Sequence, residues 1–115
     1  MNNSNPSENI TLRFVVQITQ PPIFIEPHEL YVVGNIDELG NWNPQDGTKM
    51  QQVSEERLEA SITIPKNMQK VIEYKYITVM KNVAQEVHWE HGENRTIRRF
   101  TSENLILHDH YQVCK

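Results

Sequence analysis

Residues 10–18 read ITLRFVVQI, a stretch in which apolar side chains alternate with Thr11, Arg13 and Gln17. Successive side chains of a β-strand point to opposite faces of a sheet, so a period of two places one row in a core. The alternation therefore predicts a β-strand. Its inward row would be Ile10, Leu12, Phe14, Val16 and Ile18.

The same signs predict more strands along the chain, separated by segments rich in Gly, Pro, Asn and Asp. The ranges are 30–34, 58–64, 71–80, 86–90, 95–100 and 105–113. In the strand over 71–80, Ile72, Tyr74 and Tyr76 form one row, and Glu73, Lys75 and Ile77 form the other. No ten-residue stretch has helical apolar periodicity with caps. The sequence predicts an all-β fold, either an antiparallel sandwich or an open barrel.

Length and charge limit the class of protein. The 115 residues suffice for one domain, and the net charge of -4 argues against a binder of nucleic acid. Residues 1–9 are polar and predict a flexible lead-in, which leaves 10–115 as the domain. The single Cys114 and the lack of an apolar targeting or membrane segment favour a soluble, cytoplasmic protein. We expect it to be monomeric.

Two tryptophans lie in surroundings that are too polar for a core. Trp42 ends the sequence LGNW (39–42), and Trp89 begins WEHGENR (89–95). Buried indoles normally have apolar neighbours, whereas amides, carboxylates and glycine surround both of these. A pyranose has one face rich in C–H groups and a rim of hydroxyls. Flat apolar rings beside short polar side chains are therefore suited to binding a sugar.

The polar candidates near these tryptophans also have ordinary structural interpretations. A turn over 81–85 would place Glu90 across from Lys75, where the two would form a surface ion pair. Asn94 would cap a turn, and Trp42 would cover one end of the sandwich.

The ordered set of motifs resembles the starch-binding domains of carbohydrate-binding module family 20. The set consists of LGNW (39–42), IEYKY (72–76) and WE followed by NR (89–95), and the resemblance spans about residues 10–97. It implies an immunoglobulin-like antiparallel β-sandwich of seven or eight strands. The implied function is binding of α-1,4-glucans such as starch, glycogen or maltooligosaccharides, without catalysis and without a cofactor.

The resemblance also implies roles for particular residues. Trp42 and Trp89 would form a stacking platform, and Lys75, Glu90 and Asn94 would form hydrogen bonds with sugar hydroxyls. The sequence departs from the family at a second glucan site, where many members have exposed aromatic side chains. The corresponding stretches here read FIEP (24–27) and ERL (56–58) and contain no tyrosine or tryptophan, so we predict one site.

Three other interpretations remain open at this stage. An immunoglobulin-like protein-interaction module would use the same two indoles as hot spots. A glycosidase would need two facing carboxylates, for which Glu90 and Glu93 are available, but a small sandwich with exposed loops would exclude water poorly, so catalysis is not favoured. Metal binding by His88, His91, His108 or His110 is less favoured than solvated histidine. The preferred glucan and any attached catalytic domain do not follow from the sequence.

Overall fold

A computed structural model describes residues 9–18, 28–68, 70–80, 86–98 and 104–111 of the protein. These residues form nine strands and two short 3-10 segments at Asp37–Trp42 and Pro44–Asp46. The strands are β1 (Asn9–Ile18), β2 (His28–Gly34), β3 (Thr48–Lys49), β4 (Gln51–Ser54), β5 (Arg57–Pro65), β6 (Ile72–Met80), β7 (Val87–Trp89), β8 (Arg95–Ile97) and β9 (Asn104–Tyr111).

The strands form two sheets. One sheet has the order β4-β5-β1-β9, and the other has the order β3-β2-β6-β7, with β8 also paired to β6. All strand pairs are antiparallel except β1 and β9, which run parallel. The predicted β-sandwich is confirmed.

The core lies between the sheets and consists of the rows that the alternation predicts. All five inward residues of β1 are at most 2% exposed, and so are Ile72, Tyr74 and Tyr76 of β6. The Phe14 and Tyr74 rings meet edge to face with their centroids 5.1 Å apart, which links the two sheets. The inward residues of β2 and β5 complete this core.

The chain passes from the second sheet to the first at Met50. β3 pairs with β2, β4 pairs with β5, and Met50 between them is 3% exposed and donates its N–H to Leu30 O at 2.9 Å. β7 and β8 are likewise two parts of one edge, because both pair with β6. Counting each of these segments once reduces the nine described strands to the predicted seven or eight.

A carboxylate that is only 15% exposed lies at one edge of the sandwich. Asp109 on β9 accepts hydrogen bonds through the same oxygen from the hydroxyls of Tyr74 at 2.8 Å and Tyr76 at 2.7 Å. Its other oxygen lies 3.4 Å from Nη1 of Arg95. Burial and the neighbouring Asp109 carboxylate raise the pKa of both tyrosines far above the ordinary value. These hydrogen bonds join β6 of one sheet to β9 of the other.

Some predicted features lie outside the described residues. They include the lead-in except Asn9, which begins β1, the turn over 81–85 and the stretch FIEP at 24–27. Within the described part of the chain, no helix is long and apolar enough to cross a bilayer.

The two buried tyrosines predict a loss of stability at alkaline pH. Their folded-state pKa values are raised, so the stability that the protonated phenols contribute is fully present below about pH 10, where the unfolded chain also keeps both protons. Above that pH, the free energy of unfolding should fall by about 1.4 kcal/mol per pH unit for each tyrosine. Urea denaturation of the wild type, repeated at intervals of about one pH unit between pH 8 and 12, measures this slope.

The control is the double variant Tyr74→Phe/Tyr76→Phe, which has no phenols at these positions. Its free energy of unfolding should decline less steeply above about pH 10 than that of the wild type. Equal slopes in the two proteins would contradict this interpretation.

Candidate functional site

The outward row of β6 organises the candidate site. Glu73, Lys75 and Ile77 alternate with the inward residues of the same strand, so all three side chains lie on the outer face of the sheet. Ile77 is directly paired with Trp89 of β7, and Lys75 with Val33 of β2. Directly paired residues project on the same face, which places both neighbouring strands beside this row.

Trp42 is positioned by a tight turn with an unusual backbone. Gly40, Asn41 and Trp42 have φ values of 83°, 51° and 65°. A left-handed conformation is rare for tryptophan and costs roughly 1 kcal/mol, so the surrounding contacts must hold it. Asn41 Nδ2 donates to Asp37 Oδ1 at 2.5 Å, and Asn43 N donates to Gly40 O at 2.9 Å. The turn therefore directs Trp42 by its own hydrogen bonds.

Gly40 also allows two parts of this loop to approach closely. A Cβ at Gly40 would lie 2.6 Å from the carbonyl oxygen of Asp46, which is too close for any other residue. A Cβ at Gly47 would lie 2.5 Å from Cγ1 of Val33 on the outer face of β2. Glycine at both positions lets the loop that carries Trp42 lie against the sheet.

The two indoles are neighbours. The ring centroids of Trp42 and Trp89 are 6.3 Å apart, and the ring planes are inclined by 47°. Trp89 is 39% exposed and Trp42 is half-buried. Trp89 is therefore not a core residue, as its polar neighbours in the sequence predict. The rings form two inclined apolar plates on the outer face of the sheet, which we call the tryptophan platform.

Glu90 leaves the β-ladder but keeps its pairing with Tyr76. Its N–H donates to Tyr76 O at 3.0 Å, and its carboxylate accepts the N–H of Tyr76 at 3.2 Å. The same carboxylate accepts from Arg95 Nε at 3.0 Å and from Nη2 at 2.5 Å. A planar guanidinium presents two donors to a carboxylate, so this pair has a fixed geometry. It closes the loop over 90–95 at its base.

Arg95 extends the same cluster to the other sheet. Its Nη2 donates to His110 O at 2.7 Å, and its guanidinium lies over the Tyr76 ring at 5.3 Å from the centroid. Burial lowers the pKa of Arg95, but the hydrogen bond with Glu90 and the nearby carboxylates raise it by more. Arg95 therefore has a structural role in this cluster.

The predicted ion pair between Lys75 and Glu90 is wrong. Trp89 pairs with Ile77, so Glu90 lies across from Tyr76 and its carboxylate turns to Arg95. The Nζ of Lys75 instead donates to the main-chain carbonyls of Glu90, at 3.0 Å, and Gly92. An ammonium group has three donors, so one N–H remains for a ligand.

Asn94 makes a contact that its proposed turn-capping role does not include. Its Nδ2 donates to Glu73 Oε1 at 2.8 Å. Asn94 itself is exposed to solvent. Asn94 and Lys75 therefore both attach the loop over 90–94 to the outward row of β6.

The structure brings Trp42, Lys75, Trp89 and Asn94 onto the outer face of the sheet, whereas the Glu90 carboxylate turns to Arg95 and the Tyr76 N–H. Trp42 touches Trp89, Lys75 holds the main chain of Glu90, and Asn94 reaches the next outward residue of β6. Sequence reasoning missed Glu73, although its place in the same row as Lys75 was a signal that could have found it. Among the described residues, no three histidine, cysteine, aspartate or glutamate side chains could together hold a metal ion.

Comparison with known proteins identifies the family. The sequence profile of the starch binding domain, carbohydrate-binding module family 20, matches residues 10–106. This match covers most of the chain, and the chain belongs to that family. It is therefore a non-catalytic starch-binding domain, and the alternative of a protein-interaction module is not favoured.

Individual relatives agree with this assignment. The chain is 36% identical over 83 residues to an α-amylase of Streptomyces violaceus, an alignment that covers 72% of this chain and 14% of the relative. The fold matches a glycoside hydrolase family 15 glucoamylase of Hypocrea jecorina with a TM-score of 0.76, at 20% identity, over 92% of this chain and 18% of that one.

A solved structure of similar extent also matches. It is the family 20 module of the maltotetraose-forming amylase of Pseudomonas saccharophila, with a TM-score of 0.70 and 20% identity, over 89% of this chain and 100% of that one. By contrast, the chain spans only 14% of the length of the α-amylase. The match to these enzymes is therefore a match to one part of them.

Two glycines with similar backbones predict different stability losses. Gly40 and Gly92 both have positive φ, but a Cβ would overlap the Asp46 backbone at Gly40 and would meet nothing within 4 Å at Gly92. Gly92→Ala should cost only the conformational penalty of about 1 kcal/mol, whereas Gly40→Ala should cost about 2 kcal/mol or more. Urea denaturation of both variants measures this difference. Similar losses of stability in the two variants would show that the loop around Gly40 accommodates the added Cβ.

The Glu90–Arg95 pair predicts that substitutions of Arg95 and Arg98 differ in their effect on stability. Arg95→Met keeps an apolar stem but leaves the Glu90 and Asp109 carboxylates, 13% and 15% exposed, without their cation. We expect a loss of about 2–3 kcal/mol in the free energy of unfolding. Arg98→Met, at an exposed position on the same segment, should change it by less than about 0.5 kcal/mol. Equal effects would refute the structural role of Arg95.

Proposed function

We propose that this domain binds a single α-1,4-glucan chain across the tryptophan platform, with Lys75, Glu90 and Asn94 at its polar margin. The observation that carries the proposal is the pair of accessible indoles, 6.3 Å apart and inclined by 47°. Successive rings of an α-1,4-glucan are inclined to one another, so the chain curves. Two tilted plates suit such a chain better than they suit a flat one.

The polar side chains beside the tryptophan platform have donors and acceptors that their existing hydrogen bonds leave for a sugar. Lys75 has one donor left after binding the carbonyls of Glu90 and Gly92. Asn94 is exposed beside it and retains its amide oxygen. The Glu90 carboxylate is largely occupied by Arg95 and Tyr76 N–H, so its contribution to sugar binding is restricted to a remaining lone pair. Orientation of the glucan should therefore depend more on Lys75 and Asn94.

The expected affinity is moderate. Each sugar ring on an indole contributes on the order of 1–3 kcal/mol by burying apolar surface, and each hydrogen bond contributes about 1 kcal/mol net. Association costs offset part of this sum, so dissociation constants should be near micromolar. Starch, glycogen and maltooligosaccharides all contain the required linkage. In a longer protein, the domain would bring an attached activity to such a polysaccharide. Cytoplasmic location and a monomeric state remain predictions.

Titration calorimetry with maltoheptaose tests the proposal. Trp42→Ala and Trp89→Ala should each lower the affinity by about tenfold or more, because each removes one apolar plate. Val53→Ala is the control, since Val53 is 52% exposed on β4 of the other sheet and should leave binding unchanged. One binding site per chain is expected. Unchanged affinity in both tryptophan variants, or two equivalent sites, would contradict the proposal.

A further inference from the structure

The hydrogen bond between Asn94 and Glu73 fixes the direction of an amide. Nδ2 of Asn94 lies 2.8 Å from Oε1 of Glu73. An ionised carboxylate only accepts hydrogen bonds, so the amide must face it with its NH₂ group, and the opposite orientation would place two acceptors together. Because the amide is planar, Oδ1 of Asn94 then points away from Glu73.

Glu73 is itself held in place by Asn35. The N–H of Glu73 donates to Asn35 Oδ1 at 2.9 Å, and Asn35 N donates to Glu73 O at 3.0 Å. Asn35 also donates from Nδ2 to Val71 O at 3.1 Å and accepts at its carbonyl from Lys70 Nζ at 2.9 Å. These bonds attach the Glu73 backbone to the residue that follows β2.

The same contacts join the two loops that form the candidate site. Asn35 begins the segment that leads to Trp42, and Asn94 lies in the loop that follows Trp89. Glu73 stands between them on β6 and contacts both through hydrogen bonds of 2.8–3.0 Å. The bonds to Asn35 come from the backbone of Glu73, whereas its side chain contacts Asn94 and sets the direction of that amide.

We infer that Glu73 is a positioning residue of the glucan site, which orients Asn94 so that its Oδ1 is presented as an acceptor for a sugar hydroxyl. The inference rests on the proposed function. The terminal torsion of asparagine has two broad, nearly equivalent orientations, so an unsupported exposed amide presents donor and acceptor alternately. Glu73 removes that ambiguity before the ligand binds, which lowers the ordering cost of binding.

Alanine substitutions test whether Glu73 acts through Asn94. Glu73→Ala and Asn94→Ala should each weaken maltoheptaose binding by about three- to tenfold, the effect of about one net hydrogen bond. If Glu73 acts through Asn94, the double variant should bind no more weakly than Asn94→Ala alone. If the losses in affinity of the two single variants multiply in the double variant, the inference is wrong.

A reversal of donor and acceptor is the sharper test. Asn94→Asp places two carboxylates face to face and should weaken binding, although an acceptor for the sugar is still present. Adding Glu73→Gln supplies an amide donor to the new carboxylate and should restore affinity to within about threefold of the wild type. A purely structural role of Glu73 gives no such rescue. Failure of the combined variant to improve on Asn94→Asp would refute the positioning role.

Glu93→Gln is the matched control, because it removes a carboxylate that is exposed in the same loop. It should leave both the affinity and the side-chain amide signals of Asn94 in nitrogen-proton NMR spectra unchanged. Glu73→Gln should shift those Asn94 signals while the remaining spectrum stays dispersed, which also shows that the variant folds. Unshifted Asn94 signals would count against the contact itself.

The outcomes separate the two proposals. If the wild type binds maltoheptaose and the tryptophan variants lose binding while Glu73→Ala binds normally, the positioning role is wrong and the proposed function stands. If the wild type binds no maltooligosaccharide, both fall together.

Discussion

The pairing of Glu90 with Arg95 is the interaction on which the arrangement of this domain depends. The chain leaves the sheet after Trp89 and returns at Arg95, and the carboxylate of Glu90 bridges that departure by accepting both the Tyr76 N–H and the guanidinium. Arg95 also contacts Asp109 on the opposite sheet. One ion pair therefore stabilises the loop of the candidate site and the edge of the sandwich, because both carboxylates are too buried to remain without a partner.

The outward residues of β6 hold the candidate site in place. Three successive outward residues meet three parts of the segment over 89–94: Ile77 lies beside Trp89, Lys75 binds main-chain carbonyls, and Glu73 binds Asn94. Strands hold side chains more precisely than loops do, so a loop attached at three points along a strand has little freedom. Such a surface can bind a flexible glucan without first ordering itself, and the ordering cost then falls mainly on the ligand.

Sequence reasoning was most accurate where a single strand decides the outcome. The alternation in β1 and β6 predicted the buried rows because burial follows directly from the period of two. It was wrong about the partner of Lys75, because a shift of one residue in the pairing of β7 moves Glu90 from Lys75 to Tyr76. Register is set by the turn and by packing on both sides, and the sequence of one strand does not contain that information.

The sequence by itself therefore determined the all-β class, the inward rows, the loop position of Trp42, the strand that carries Trp89 and the family. Each of these depends on local periodicity, local backbone preference or ordered motifs. Only the tertiary structure decided that the two indoles lie 6.3 Å apart, that the Glu90 carboxylate pairs with Arg95, and that Asn94 donates a hydrogen bond to Glu73. These contacts join residues from different strands and loops, and their distances depend on how the sheets pair and pack.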